Sequence, residues 1–165
     1  MTERASPQFR RVVTSHDADG KAVVWIDGDA TNHKFPSEKI SSTLMWSTDA
    51  TPTQILSDAD EGARILGTTP PPGGSRFTMM EFQPGNVGHL HRTDTVDYVI
   101  CLAGEIDMEL AEGQCVTLKS GDVVIQRGTN HAWINRGDRP CRLAVVLIDA
   151  LPKRTGSISG LTSAR

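Results

Sequence analysis

Two histidines separated by one residue, His89 and His91, are followed six residues later by Asp97 and much further on by His131. These are the side chains of the chain best suited to chemistry. On a β-strand the two-residue spacing sends both imidazoles to one face with Cα atoms about 7 Å apart, close enough for one cation to bind both. Three imidazoles with one carboxylate suit zinc, iron, manganese, nickel or copper, whereas calcium, which prefers oxygen, would be poorly served. Four protein ligands on an ion that accepts five or six leave room for water or substrate. The competing readings are plain. A lone strand histidine is ordinarily packed or solvated, and Asp97 could instead cap the turn RTDT or pair with Arg92, leaving Asp94 as the acidic ligand.

Residues this far apart meet only if strands close on one another. The segment from Arg76 onward supplies such strands: RFTMMEF, HLH, DYVICLAG, EIDMELAEG, QCVTLKSG, DVVIQRG, NHAWIN and CRLAVVLI, punctuated by Gly-rich turns. That cadence belongs to a sandwich or barrel. With Asp97 facing inward, Val99, Cys101 and Ala103 share its side and Tyr98 faces out; with His131 inward, Trp133 and Asn135 follow it. Trp133 and Cys101 are therefore the expected walls of a substrate pocket, with core packing as their alternative role. Arg76 and Arg92 could attract a carboxylate, but surface solvation is the favoured reading for both.

Upstream, FRRVVTSHDADGKAVVWIDG places two β-rich runs around Asp19-Gly20 and reads as a hairpin. The DADG there lacks the later oxygen ligands of a calcium loop. ISSTLMWST, residues 40–48, is expected to be a strand outside the minimal barrel, free to pair with a second subunit. SDADEGARIL could form a helical turn capped by Ser57 or Asp58. The organisation expected is an N-terminal β-rich extension over residues 1–75, a barrel over 76–151 and a loose tail over 152–165.

At 165 residues the chain fits one domain, and 15 Gly and 9 Pro with 38% hydrophobic residues favour turn-rich β structure over long helices. A net charge of -3 offers no concentrated basic face for nucleic acid or an anionic membrane, so small molecules are the expected partners. No run approaches the roughly 18 apolar residues of a membrane-spanning helix, and the amino terminus lacks the apolar core of a signal peptide; a cytoplasmic location is expected. Cys101, Cys115 and Cys141, odd in number and set among apolar residues, read as reduced thiols.

The spacing around the histidines resembles the cupins, whose first motif runs Gly, five residues, H-x-H, three or four residues, Glu, six residues, Gly. Gly85, His89, His91, Asp97 and Gly104 follow that order, with three residues before His89, five before the acidic position and Asp in place of Glu. The second motif, Gly, five residues, P-x-G, two residues, His, three residues, Asn, is similar to Gly121, Gly128, His131 and Asn135, with Gln126 at the proline position. Sixteen residues lie between the motifs, and the likeness covers residues 76–149.

The resemblance implies an all-β jelly roll, a double-stranded β-helix barrel, holding one divalent metal ion (zinc, iron, manganese or nickel) on His89, His91, Asp97 and His131. It implies a metal-dependent enzyme acting on a small oxygenated organic substrate, of dioxygenase, isomerase or decarboxylase type. The alternative is a non-catalytic small-molecule-binding or structural cupin. An isomerase using a His–Tyr pair without metal is a third reading, though no spare histidine falls in the motifs. Cupins commonly pair, and the strands near residues 10–28 and 40–48 offer edges for a homodimer.

Overall fold

The computed structural model describes residues 7–55 and 59–152. Within them lie β1 (Arg10–His16), β2 (Ala22–Asp29), β3 (His33–Ser37), β4 (Ile40–Thr48), β5 (Ser75–Phe82), β6 (Thr95–Ala103), β7 (Glu105–Glu109), β8 (Cys115–Lys119), β9 (Val123–Arg127), β10 (Ala132–Ile134) and β11 (Cys141–Asp149). A six-stranded sheet in the order β3-β4-β5-β11-β6-β9 faces a three-stranded sheet, β10-β7-β8, and β1 and β2 form a separate pair. Every pairing is antiparallel. The all-β jelly-roll expectation is met.

The space between the sheets is filled by alternate residues. Val99 and Cys101 on β6, Leu143, Val145 and Leu147 on β11, and Phe82 on β5 meet Ile106 on β7 and Leu118 on β8. Each such side chain removed from water contributes about 1.5–3 kcal/mol. The intervening residues of β5 and β11 are covered too: Phe77, Met79 and Ala144 pack outward with Met45 and with Phe9 and Ala30, which flank the β1–β2 hairpin. Burial on both faces explains why these two strands read as nearly continuous apolar runs.

Several local expectations are corrected. β4 does not lie outside the barrel with a free edge; it is hydrogen-bonded to β3 on one side and β5 on the other. The opening hairpin, by contrast, forms where expected, turning through residues 17–21, where Asp17 Oδ1 accepts from the main-chain nitrogens of Asp19 and Lys21 at 2.9 Å each. Of the expected helical turn, the cap positions Ser57 and Asp58 lie outside the described residues. The remainder is a turn in which Ala63 N donates to Asp60 O at 2.9 Å. Asp60 is used instead to grip Arg11 of β1 through both carboxylate oxygens. The tail calls beyond Pro152 also fall outside the described residues.

One motif glycine is needed for closure. Gly104 joins β6 to β7 with φ 73, and a Cβ there would stand 2.6 Å from the Pro140 carbonyl oxygen. Only glycine relieves both constraints.

Candidate active site

The inward residues of the large sheet grade from polar at one end to apolar at the other. Arg76 on β5, Leu147 on β11, Asp97 on β6 and Gln126 on β9 lie in one cross-strand row. Thr78, Val145, Val99 and Val124 form the next. Beyond them the core closes on Cys101 and Cys141, both fully buried with sulfurs 3.9 Å apart. The polar end opens into a cavity of about 420 Å³ whose lining includes His89, His91, Asp97, His131, Trp133 and Arg76.

Main-chain pairing brings the histidines there. Gly85 N donates to Asn135 O at 2.9 Å, and the buried Asn86 donates to Trp133 O at 2.8 Å while accepting from Asn135 N at 2.7 Å. These bonds sew the loop after β5 to β10. His91 and His131 then form an isolated antiparallel bridge, so the HLH segment is a single paired residue at the end of a loop and not a strand. Asn135, which follows His131 inward by strand parity, works as a brace, donating to the carbonyls of Phe82 and Arg139.

The second nitrogen of each inward ring is committed to the main chain. His91 Nδ1 lies 2.8 Å from His89 O, and His131 Nδ1 lies 3.0 Å from Thr129 O. A carbonyl can only accept, so the His91 proton sits on Nδ1 and its Nε2 keeps its lone pair, whereas His131 Nδ1 faces both the Thr129 carbonyl, an acceptor, and the Gln126 amide nitrogen, a donor. This is the arrangement that orients metal-binding imidazoles. Gln126 braces the corner: its amide nitrogen donates to Thr129 O at 2.9 Å, its amide oxygen accepts from the Thr129 hydroxyl at 2.5 Å, and it lies against His131 Nδ1. The sequence comparison noted Gln126 only as a departure from the motif; the missed signal is a buried amide at an inward position.

Electrostatics follow from burial. Desolvation pushes the His131 imidazole down to about 4, with the Thr129 carbonyl opposing and the charge of His91 assisting, so the ring is neutral at pH 7. Desolvation raises the Asp97 carboxyl above its ordinary range, partly offset by the Thr95 hydroxyl and His91. Asp97 Oδ1 is buried with no hydrogen-bond partner. Tyr98 faces out, as strand parity requires.

His89 differs from its neighbours. It is exposed, and its ring stacks on His91 with centroids 6.1 Å apart and planes at 12°. In-plane lone pairs of two stacked, nearly parallel rings cannot meet at one point. Accordingly, among the described residues no three His, Cys, Asp or Glu side chains converge so as to hold an ion. His91 and His131 are closer, with centroids 4.5 Å apart, and Trp133 meets His131 edge-on at 5.7 Å. Trp133 does line the cavity, but Cys101 does not: its inward parity is right and its depth is wrong, since it lies in the packed end against Cys141.

The family described as Cupin domain is matched by residues 78–147. Phomopsin biosynthesis cluster protein C' of Diaporthe leptostromiformis is 34% identical, over 96% of this chain and 92% of that protein. The cupin-domain-containing oxidoreductase virC of Hypocrea virens is 32% identical, over 89% of this chain and 80% of that protein. This chain is a cupin. Among solved structures, KdgF from Halomonas sp. superposes with a TM-score of 0.50 at 14% identity, covering 72% of this chain and 86% of that one, a likeness of fold alone. No helix among the described residues of this cupin is long and apolar enough to cross a membrane.

Proposed function

We propose that this cupin is a metal-dependent enzyme acting on a small organic molecule taken into the cavity. His91, His131 and Asp97 would hold one divalent ion, zinc, iron, manganese or nickel, by closing on it from positions that do not converge in this structure, and His89 would join them by turning its exposed side chain inward. The observation that carries the reading is Asp97 Oδ1, a buried carboxylate oxygen without a partner. It lies on the wall of a cavity shared with the imidazoles of His91 and His131, and the His91 Nδ1 contact with a carbonyl leaves the Nε2 lone pair of that ring free. Burying such an atom uncompensated is costly, and a cation removes the cost.

When bound, the ion supplies Lewis-acid polarisation of a substrate oxygen and, if it is iron, redox chemistry with dioxygen. The chain's own residues do the positioning. Thr129 O and Gln126 fix the plane of His131, His89 O fixes that of His91, and Trp133 with Val99, Val145 and Leu147 presents an apolar wall that displaces water from the substrate. The name of virC as an oxidoreductase directs the reading toward a redox reaction within the wider set of dioxygenase, isomerase and decarboxylase chemistries.

A second reading, a non-catalytic small-molecule-binding cupin, is favoured by the outward stacking of His89 on His91. The two separate cleanly. Protein loaded in turn with iron(II), manganese(II), nickel(II) or zinc(II) is incubated with a mixed small-metabolite extract and followed by mass spectrometry. Enzyme function predicts at least one mass change that needs the metal and disappears in His91→Ala/His131→Ala. No conversion with any metal, together with ligand-induced stabilisation indifferent to metal, would establish the binding protein instead.

A further inference from the structure

The chemistry proposed above leaves one buried charge unused. Arg76 is 8% exposed, against the surface solvation expected from its sequence, and it lines the same cavity. Its Nη1 donates to the Thr68 carbonyl at 2.5 Å, its Nη2 reaches the Ser42 hydroxyl at 3.5 Å, and its Nε has no partner. A guanidinium carries five N–H donors, so most of this one's capacity is unanswered by the protein. Burial alone pulls its pKa below the ordinary value, with no carboxylate close enough to oppose the shift.

The buried opposite charge in its own cross-strand row is placed not to pair with it. Arg76 is the cross-strand neighbour of Leu147, and Leu147 is the cross-strand neighbour of Asp97. Two strand spacings therefore separate Arg76 from Asp97, roughly 10 Å between Cα atoms. Two buried charged groups, each with a side-chain atom that lacks a partner, thus share one wall of one cavity, with a leucine between them. The rest of the lining near them is largely apolar, including Met80, Phe82, Val99, Trp133 and Val145.

We propose that Arg76 anchors the carboxylate of the ligand, so that the cavity takes a small apolar monocarboxylic acid with its acid group on the guanidinium and its other end against His91, His131 and Asp97. A planar fork of donors matches a carboxylate in shape, and Lys34, the other cation on the cavity lining, donates its ammonium to the Leu66 carbonyl. The inference deepens the reading above and rests on its cavity, while making no use of its metal.

The test compares 3-phenylpropanoate with 3-phenylpropanamide, alike in shape but not in charge, by isothermal titration calorimetry. The full chain is used as purified and again after chelation, as wild type, Arg76→Met and Arg76→Lys. Wild type is expected to bind the acid about ten-fold or more tighter than the amide in both preparations. Arg76→Met keeps the apolar stem and should bind the two equally, and Arg76→Lys should recover part of the preference. Should Arg76→Met fail to fold by circular dichroism, Arg76→Gln carries the same comparison. Equal binding of acid and amide by wild type, or a preference that survives loss of the guanidinium, overturns the proposal. So does a preference abolished by chelation, which would place the acid on the metal. A chain that prefers the acid through Arg76 but never turns anything over sinks only the enzyme reading.

Discussion

His91 and His131, 40 residues apart in sequence, exchange both main-chain hydrogen bonds, at 3.0 Å and 2.9 Å. An antiparallel pair of this kind fixes two side chains on the same face within about 5.5 Å at their Cα atoms. The register between the two motif segments is thus set at two of the proposed metal ligands, and the rings, 4.5 Å apart, inherit it.

Replacing Asp97 exposes a conflict between stability and binding. In metal-stripped protein Asp97→Leu removes a buried carboxylate, one of whose oxygens has no partner, beside Val99 and Leu147, and should stabilise the chain by about 1–3 kcal/mol at pH 8. The folded-state pKa of Asp97 is raised, so the penalty is present when the group is charged and fades as pH falls toward the unfolded carboxylate value. Guanidinium unfolding at pH 8 and at pH 4 should show a gain that shrinks with acid, alongside weakened metal binding at neutral pH.

His131 gives the opposite trend. Burial holds its folded pKa at about 4, below the ordinary 6.5 of a solvated imidazole, so between these values the unfolded chain holds more protons and stability rises with pH. Metal-stripped wild type should lose on the order of 3 kcal/mol from this residue on acidification through that window. His131→Gln should lack that part of the slope in urea unfolding followed from pH 7 to pH 4.

Gln126 acts on His131 through the Thr129 carbonyl. Gln126→Leu leaves every proposed ligand in place, yet should weaken metal binding by about 10- to 100-fold. Competition against a chromophoric chelator measures this directly, and unchanged affinity would show the brace to be irrelevant.

Gly104→Ala should cost about 1–3 kcal/mol, read by thermal unfolding. The substitution forces a side chain onto a positive φ and into the Pro140 carbonyl.

Much of the arrangement could be read from residue spacing. The two-residue period on β6 correctly sends Asp97, Val99 and Cys101 inward and Tyr98 outward, because strand parity is a local property. How deep each residue lies is not local, which is why Cys101 lands in the packed end and not on the cavity. The place of β4 depends on which strand it meets, and its neighbour β5 is far along the chain. Arg76 shares an inward parity with Thr78, Met80 and Phe82, a signal that was present, but a lone arginine near a Gly-Pro segment looks like any solvated one. The rotamer that stacks His89 on His91 follows from packing at the mouth and has no signature in spacing.

The most direct test is elemental analysis of protein prepared without a chelating tag and reconstituted with iron(II), manganese(II), nickel(II) or zinc(II), beside His91→Ala/His131→Ala treated identically. The account predicts about one ion per wild-type chain and little in the folded double variant. Equal metal in both proteins, or none retained by wild type under any of the four conditions, would contradict it.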